Sequence, residues 1–370
     1  MTATKGLEGI VAATSSISSI VDGVLTYRGI DIDDLAEHAS FEEVAYLLWF
    51  GKLPNAAELQ KLQQDLDIYA PIPQHLIEQI KLYPKDANTM AALRSAVSAL
   101  ALYDQEADDM SREANEKKAI KLQAQLPTII AALSRIRQGK EPVAPKKGLS
   151  IAENFLYMLR DEQPDETSIK ALDQALVLHA DHEFNASTFA GRVTVATLSD
   201  IYSGVTSALG ALKGPLHGGA NEAVMKMLES IGTVDHVESY IQQKLDKREK
   251  IMGFGHRVYK NGDPRAKHLQ KMSRELGEMK EDMNLYNMSI KIDEMITTQK
   301  GLRPNVDFYS ASVYTQLGIE SELFTPIFAI SRVSGWTAHI LEQWVDNRII
   351  RPRAEYVGLL DQKYIPIELR

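Results

Sequence analysis

The chain of 370 residues contains no cysteine. That absence excludes a disulfide scaffold, a zinc–thiolate site and a cysteine nucleophile, and it fits a reducing compartment. A basic excess is also missing, since 41 Lys and Arg face 50 Asp and Glu for a formal net charge of −9. Nonspecific nucleic-acid binding needs a basic face that displaces counterions from phosphate, so no nucleic-acid partner is expected. No stretch approaches the roughly 20 apolar residues that span a bilayer. The opening segment MTATKGLEGIVAATSSISSI lacks the charged start and continuous apolar run of a secretory signal. The expectation is a cytoplasmic protein without a membrane partner.

At 44% hydrophobic and 25% charged, the chain has the length and composition for a large core and a smaller one. Helical periodicity dominates. Ser40 and Glu43 form a capping-box signature before Phe41–Phe50, which Gly51 and Pro54 end. Further helices are expected at Met90–Tyr103, Glu113–Gln138, Ile151–Leu159, Ser168–His182, Thr188–Leu212, Asn221–Ile231, Val237–Lys250, Ala266–Leu276, Met283–Gln299, Val306–Leu317 and Thr325–Asn347, with Pro127 kinking or splitting the second of these. Strand signals are confined to Ser18–Val21 and Val24–Tyr27, which flank the hairpin dipeptide Asp22-Gly23. The fold class is therefore all-α with a short N-terminal β hairpin.

Thr188–Leu212 carries only Arg192 and Asp200 as charges, so it is expected to be one long helix buried on most sides, at the core or at a subunit interface. Glycines at 210, 214, 218 and 219 follow it and mark a flexible boundary. A second boundary is expected near Gly318–Leu323. These divide the chain into a large helical domain over 1–215, a small domain over 216–322 able to hinge, and a return to the large domain over 323–370.

The chemistry-bearing residues cluster in the second half. His217 in Gly-Pro-Leu-His-Gly-Gly and His256 in Gly-Phe-Gly-His sit among glycines, which let a ligand approach the main chain; Asp307 follows in Asn-Val-Asp-Phe, and His182 lies upstream. Imidazoles and a carboxylate in this setting suggest acid–base chemistry. An anionic small molecule would need local arginines to overcome the overall charge, and Arg257, Arg265, Arg332, Arg348, Arg351 and Arg353 are candidates. Plainer readings stand beside these. His179 and His182 can be buried, hydrogen-bonded histidines. Asp307 can be the cap of a helix over Phe308–Leu317, and Arg348, Arg351 and Arg353 can be solvated charges at a helix C-terminus. His38, His75, His236, His268 and His339 have no supporting context. Two other function classes fit parts of the pattern. One is a metal hydrolase using His179, Asp181, His182 and Glu183, although His-Ala-Asp-His is not the His-Glu-x-x-His spacing. The other is a non-catalytic helical scaffold.

HADHEFNAST at 179–188, GPLHGGAN at 214–221, GFGHRVYKNGDPRAK at 253–267, PNVDFYSA at 304–311 and IIRPRAEYVG at 349–358 together resemble citrate synthase, as does DGVLTYRGIDIDDLAEHASFEEVAYLLWFGKLP near the start. The resemblance covers nearly the whole chain and five motifs occur in order. It implies the family's multi-helical two-domain fold and condensation of acetyl-CoA with oxaloacetate, followed by thioester hydrolysis to citrate and CoA. By the same resemblance Asp307 takes the methyl proton, His217 hydrogen-bonds the thioester oxygen and His256 donates to the oxaloacetate carbonyl. His182, Arg265, Arg332 and Arg351 bind oxaloacetate, and Ser187 lies close to His217. CoA lies along Ile251, Met252, Gly253, Phe254 and Gly255, with Lys260 and Lys267 near its phosphates. No metal and no permanently bound cofactor is implied; CoA enters as a thioester co-substrate. The partner arrangement implied is a homodimer of the simple dimeric type, in which Arg351 completes the neighbouring site. 2-Methylcitrate synthase, which takes propionyl-CoA, is the close alternative, because one methylene is worth only about 1–3 kcal/mol to a pocket.

Overall fold

Asp22 and Gly23 both adopt positive φ, 51° and 83°, the backbone of a type I′ turn. They join β1 (Ser18–Val21) to β2 (Val24–Tyr27) with Val21 opposite Val24. A third short strand, β3 (Ile30–Asp31), pairs antiparallel with β2 and extends the expected hairpin to a three-stranded sheet. The computed structural model describes residues 5–7, 9–256 and 258–370; the candidate anion-binding Arg257 lies outside the described residues.

Helices follow. Asp31 caps α1 (Ile32–His38) by accepting from the Asp33 N–H, and the Ser40/Glu43 capping box opens α2 (Phe41–Phe50) as expected. A second capping box, Asn55/Glu58, opens α3 (Ala56–Tyr69), which α4 (Gln74–Lys81) and α5 (Thr89–Leu100) follow. Pro127 does not split α6 (Arg112–Arg137), which runs through it. Next come α7 (Ile151–Arg160) and α8 (Glu166–His179). Because α8 stops at His179, His182 stands in the loop beyond it, not on the helix where periodicity placed it.

The long helix expected over Thr188–Leu212 is two helices, α9 (Ala186–Val195) and α10 (Ile201–Leu212). Between them Leu198 takes a left-handed φ of 66°, and the Asp200 carboxylate accepts from the Ser203 N–H. That cap starts a new helix and offsets the lost propagation. The helix buried on all sides is instead α16 (Phe324–Val345), where every residue from Phe324 to Ile340 is buried. It packs on α2, α6, α8, α9 and α10. Full burial of each large aliphatic side chain on it contributes roughly 1.5–3 kcal/mol. No helix among the described residues is long and apolar enough to cross a membrane.

The stretch α11 (Ala220–Ile231), α12 (Val237–Asp246), α13 (Pro264–Met279), α14 (Asn284–Lys300) and α15 (Val306–Gln316) packs largely on itself. It meets the remainder through α13 against α1 and α8, α15 against α8, and α11 against α16. After α16 the chain runs extended, and every residue from Arg351 to Arg370 is exposed.

Candidate active site

Two loop segments are stitched together at the base of the site. Gly255 N–H donates to Arg303 O at 2.9 Å, Asn305 N–H donates to Gly253 O at 2.9 Å, and the Asn305 side-chain amide donates to Gly255 O at 3.0 Å. Gly253 sits at φ 84°, and a Cβ there would stand 2.8 Å from both Phe308 and Val224, so only glycine fits. This stitching brings the segment carrying His256 to the N-terminus of α15. The Asn305 side chain accepts from the Asp307 N–H at 3.1 Å and is the α15 cap. The capping job considered for Asp307 is therefore taken, and its carboxylate is left for other work. Burial pushes the Asp307 carboxyl up to about 6, against the downward pull of Arg265 and Arg332.

His256 has one nitrogen occupied. Its Nδ1 accepts from the backbone N–H groups of Val258 at 3.0 Å and Tyr259 at 3.2 Å. Amides only donate, so the ring carries its proton on Nε2 and is neutral. Burial, then Arg265, lowers its pKa. His217, in the turn before α11, is arranged alike: its Nε2 stands 3.3 Å from the Ser187 N–H and 2.8 Å from Ser187 Oγ. The amide marks Nε2 as the acceptor and leaves Nδ1 as the ring's N–H. Burial, then Arg332, lowers His217 to about 4. Ser187 is fully buried; it receives the Trp336 indole N–H at 3.0 Å, and its single hydroxyl proton is shared between His217 and Asn185 Oδ1 at 2.7 Å. Two neutral imidazoles, each with one free N–H, result.

His182 lies 5.3 Å from His256, ring centre to ring centre, and its Nε2 meets the Tyr259 hydroxyl at 3.1 Å. Burial, then Arg265, Arg332 and His256, holds its pKa well below the usual value. Arg332 is 1% exposed and spends only Nε, which donates to His179 O at 2.7 Å; its guanidinium lies 4.5 Å over the Phe328 ring. Among the described residues its two terminal nitrogens have no protein acceptor, and burial pulls its pKa down to about 10. A buried cation with unspent donors is suited to an anionic ligand. Arg265, also buried, is held by Asp263.

Other candidates are placed differently. Lys267 forms an ion pair with Asp33 of α1, a contact across 234 residues of sequence, whereas Lys260 is exposed. Arg351 is on the exposed tail and meets none of the above residues within its own chain. The four groups considered as metal ligands diverge. His179 donates from Nδ1 to Ala175 O at 2.7 Å, Asp181 bonds Ser18 and His339, His182 faces Tyr259 and Glu183 accepts from Ile20 N–H. Among the described residues no group of three His, Cys, Asp or Glu side chains has metal-binding geometry. Sequence reading did not find Asp263, Tyr259, Trp336 or Asn185. Asp263 before Pro264 carried a signal, a helix cap followed by proline at the first helical position; the others are visible only once the chain is folded.

Residues 6–353 match the family model described as citrate synthase, C-terminal domain. The chain is 62% identical to citrate synthase 2 of Bacillus subtilis over the full length of both. It is 42% identical to 2-methylcitrate synthase of Mycobacterium tuberculosis, over 98% of this chain and 92% of that protein. The crystal structure of Thermoplasma acidophilum citrate synthase in a ternary complex with carboxymethyl coenzyme A and oxaloacetate superposes with a TM-score of 0.93 at 35% identity, covering 98% of each chain.

Proposed function

The chain belongs to the citrate synthase family, condensing acetyl-CoA with oxaloacetate and hydrolysing the product to citrate and CoA, and we propose the division of labour among its residues from that premise. The reaction is an acyl transfer in which the acyl group becomes alkyl; it needs no metal or permanently bound cofactor, and CoA is a co-substrate. A thioester acidifies its methyl group only weakly, so a base needs a partner that stabilises the enolate oxygen. In this reading Asp307 is the base. The His217 Nδ1–H donates to the thioester oxygen, and the His256 Nε2–H donates to the oxaloacetate carbonyl and makes its carbon more electrophilic.

The observation that carries this reading is the backbone amide on one nitrogen of each ring, which keeps both imidazoles neutral with a single donor apiece. Neutral donors match a developing oxyanion without surrendering a proton early. The two carboxylates of oxaloacetate fit His182, Arg265 and the unspent nitrogens of Arg332, with Arg351 of a second copy completing the set. The exposed tail supports a dimer, since Tyr356, Val357, Leu359, Leu360 and Tyr364 leave a row of apolar side chains uncovered. CoA is assigned to Ile251–Gly255 with Lys260; Lys267 serves it only when released from Asp33. The self-packed stretch α11–α15 supports hinging of 216–322 against 1–215 and 323–370, which would exclude water from the enolate. A cytoplasmic location remains part of the proposal.

Acetyl-CoA is favoured over propionyl-CoA by the 62% identity to a citrate synthase against 42% to a 2-methylcitrate synthase. Steady-state rates of CoA release with both thioesters test this: kcat/KM is expected to be higher with acetyl-CoA, and a preference for propionyl-CoA overturns it.

A further inference from the structure

The loop that carries His182 is pinned on one side only. Tyr27 Oη receives the Asp181 N–H at 3.2 Å and donates to Asp181 O at 3.1 Å, while Ser18 Oγ takes the Glu183 N–H at 2.9 Å and bonds the Asp181 carboxylate. The Ile20 N–H donates to Glu183 at 2.7 Å. These contacts hold the backbone on either side of His182 against the N-terminal sheet, but none reaches its imidazole. Among the described residues the one side-chain hydrogen bond to that ring comes from Tyr259, at 3.1 Å. Tyr259 is 3% exposed and its ring lies 4.6 Å from that of His256. It belongs to the segment that leads from His256 into α13, whereas His182 belongs to the loop that follows α8.

We infer that Tyr259 is a positioning residue for oxaloacetate binding: its hydroxyl donates to His182 Nε2, fixes the ring's tautomer and orientation, and links the segment of His256 to the loop that follows α8. A neutral imidazole has one lone pair and one N–H, so accepting from Tyr259 leaves the proton on Nδ1 as its donor. Donation in this sense is favoured because imidazole nitrogen is the better acceptor and the phenol keeps its proton, burial pushing its pKa above the usual tyrosine value. The tilted packing against the His256 ring fixes the phenol and the hydroxyl fixes His182, so one side chain sets the spacing between the two histidines. The inference rests on the reading of His182 as an oxaloacetate ligand.

Tyr259→Phe removes the hydroxyl and keeps the ring packed against His256. The KM for oxaloacetate is expected to rise roughly threefold to tenfold, as for loss of one hydrogen bond, with a smaller change in kcat and an unchanged KM for acetyl-CoA at saturating oxaloacetate. In a His182→Gln background the same substitution is expected to add nothing. Nitrogen-15 spectra of selectively labelled wild-type protein should show His182 as the Nδ1–H tautomer, a readout that needs no variant to fold. A wild-type oxaloacetate KM in Tyr259→Phe, or His182 found as the Nε2–H tautomer, overturns the inference. If His182→Gln also keeps the wild-type KM, the assignment of His182 to oxaloacetate falls with it; if only Tyr259→Phe does, that assignment survives.

Discussion

Asp263 grips Arg265 with both carboxylate oxygens, Oδ1 to Nε at 2.9 Å and Oδ2 to a terminal nitrogen at 2.8 Å. The same Oδ2 accepts the Val306 N–H at 3.1 Å, so one buried carboxylate aligns Arg265, a proposed oxaloacetate ligand, with the segment of Asp307. Burial pushes the Asp263 carboxyl up, but Arg265 outweighs it and holds the pKa below the usual value. Asp263→Asn leaves a buried guanidinium without its counter-charge, an error that costs about 3–5 kcal/mol. The expected result is a lowered melting temperature together with a raised oxaloacetate KM, read by thermal unfolding and steady-state kinetics.

The pH profile follows from Asp307. A base must be ionised, and with its carboxyl pushed up to about 6, kcat/KM is expected to fall as pH drops through 6, by about tenfold per unit below it. His217, lowered to about 4, stays neutral through that window and adds no limb. A pH–rate profile with one acid limb near 6 checks this; an acid limb confined to pH 4 contradicts it.

Asp173 of α8 and Glu42 of α2 form a carboxyl pair. Asp173 accepts the Phe41 N–H at 3.2 Å and Glu42 accepts the Ile151 N–H at 2.7 Å, each at the start of a helix. Burial first, then the nearby Glu42 charge, pushes Asp173 up to about 8. A raised folded-state pKa contributes stability that is complete below the unfolded value near 4 and is lost as pH climbs through about 8. Asp173→Asn keeps the acceptor and removes the titration. Burial raises the Glu42 carboxyl as well, so the melting temperature of the variant is expected to fall less between pH 6 and 9 than that of the wild type.

Arg351 is expected to act in the neighbouring protomer. Co-producing Asp307→Asn and Arg351→Ala chains, each nearly inactive alone, makes mixed dimers in which one site has neither lesion, so about a quarter of wild-type activity is expected. No recovery above the separate variants means that Arg351 acts within its own chain or not at all.

The helical class, the hairpin turn and the Ser40/Glu43 cap were legible because each rests on residues a few positions apart. α3 escaped notice because it buries only Leu62 and Leu66, too few to set a period. The break between α9 and α10 hid behind a shortage of charge, although Asp200 three residues before Ser203 was its local sign. The glycine-framed histidines and Asp307 were legible as motifs. Their protonation was not, because it depends on where the Ser187, Val258 and Tyr259 amides point after folding. Lys267 shows the same limit: its partner Asp33 is brought to it by the packing of α13 on α1.

In the proposed mechanism the Asp307 carboxylate makes the carbon nucleophile. The most direct measurement is the single-turnover rate of condensation by Asp307→Asn with both substrates saturating. A loss of roughly a hundredfold to ten-thousandfold with oxaloacetate binding intact is expected; an undiminished rate means that Asp307 is not the base.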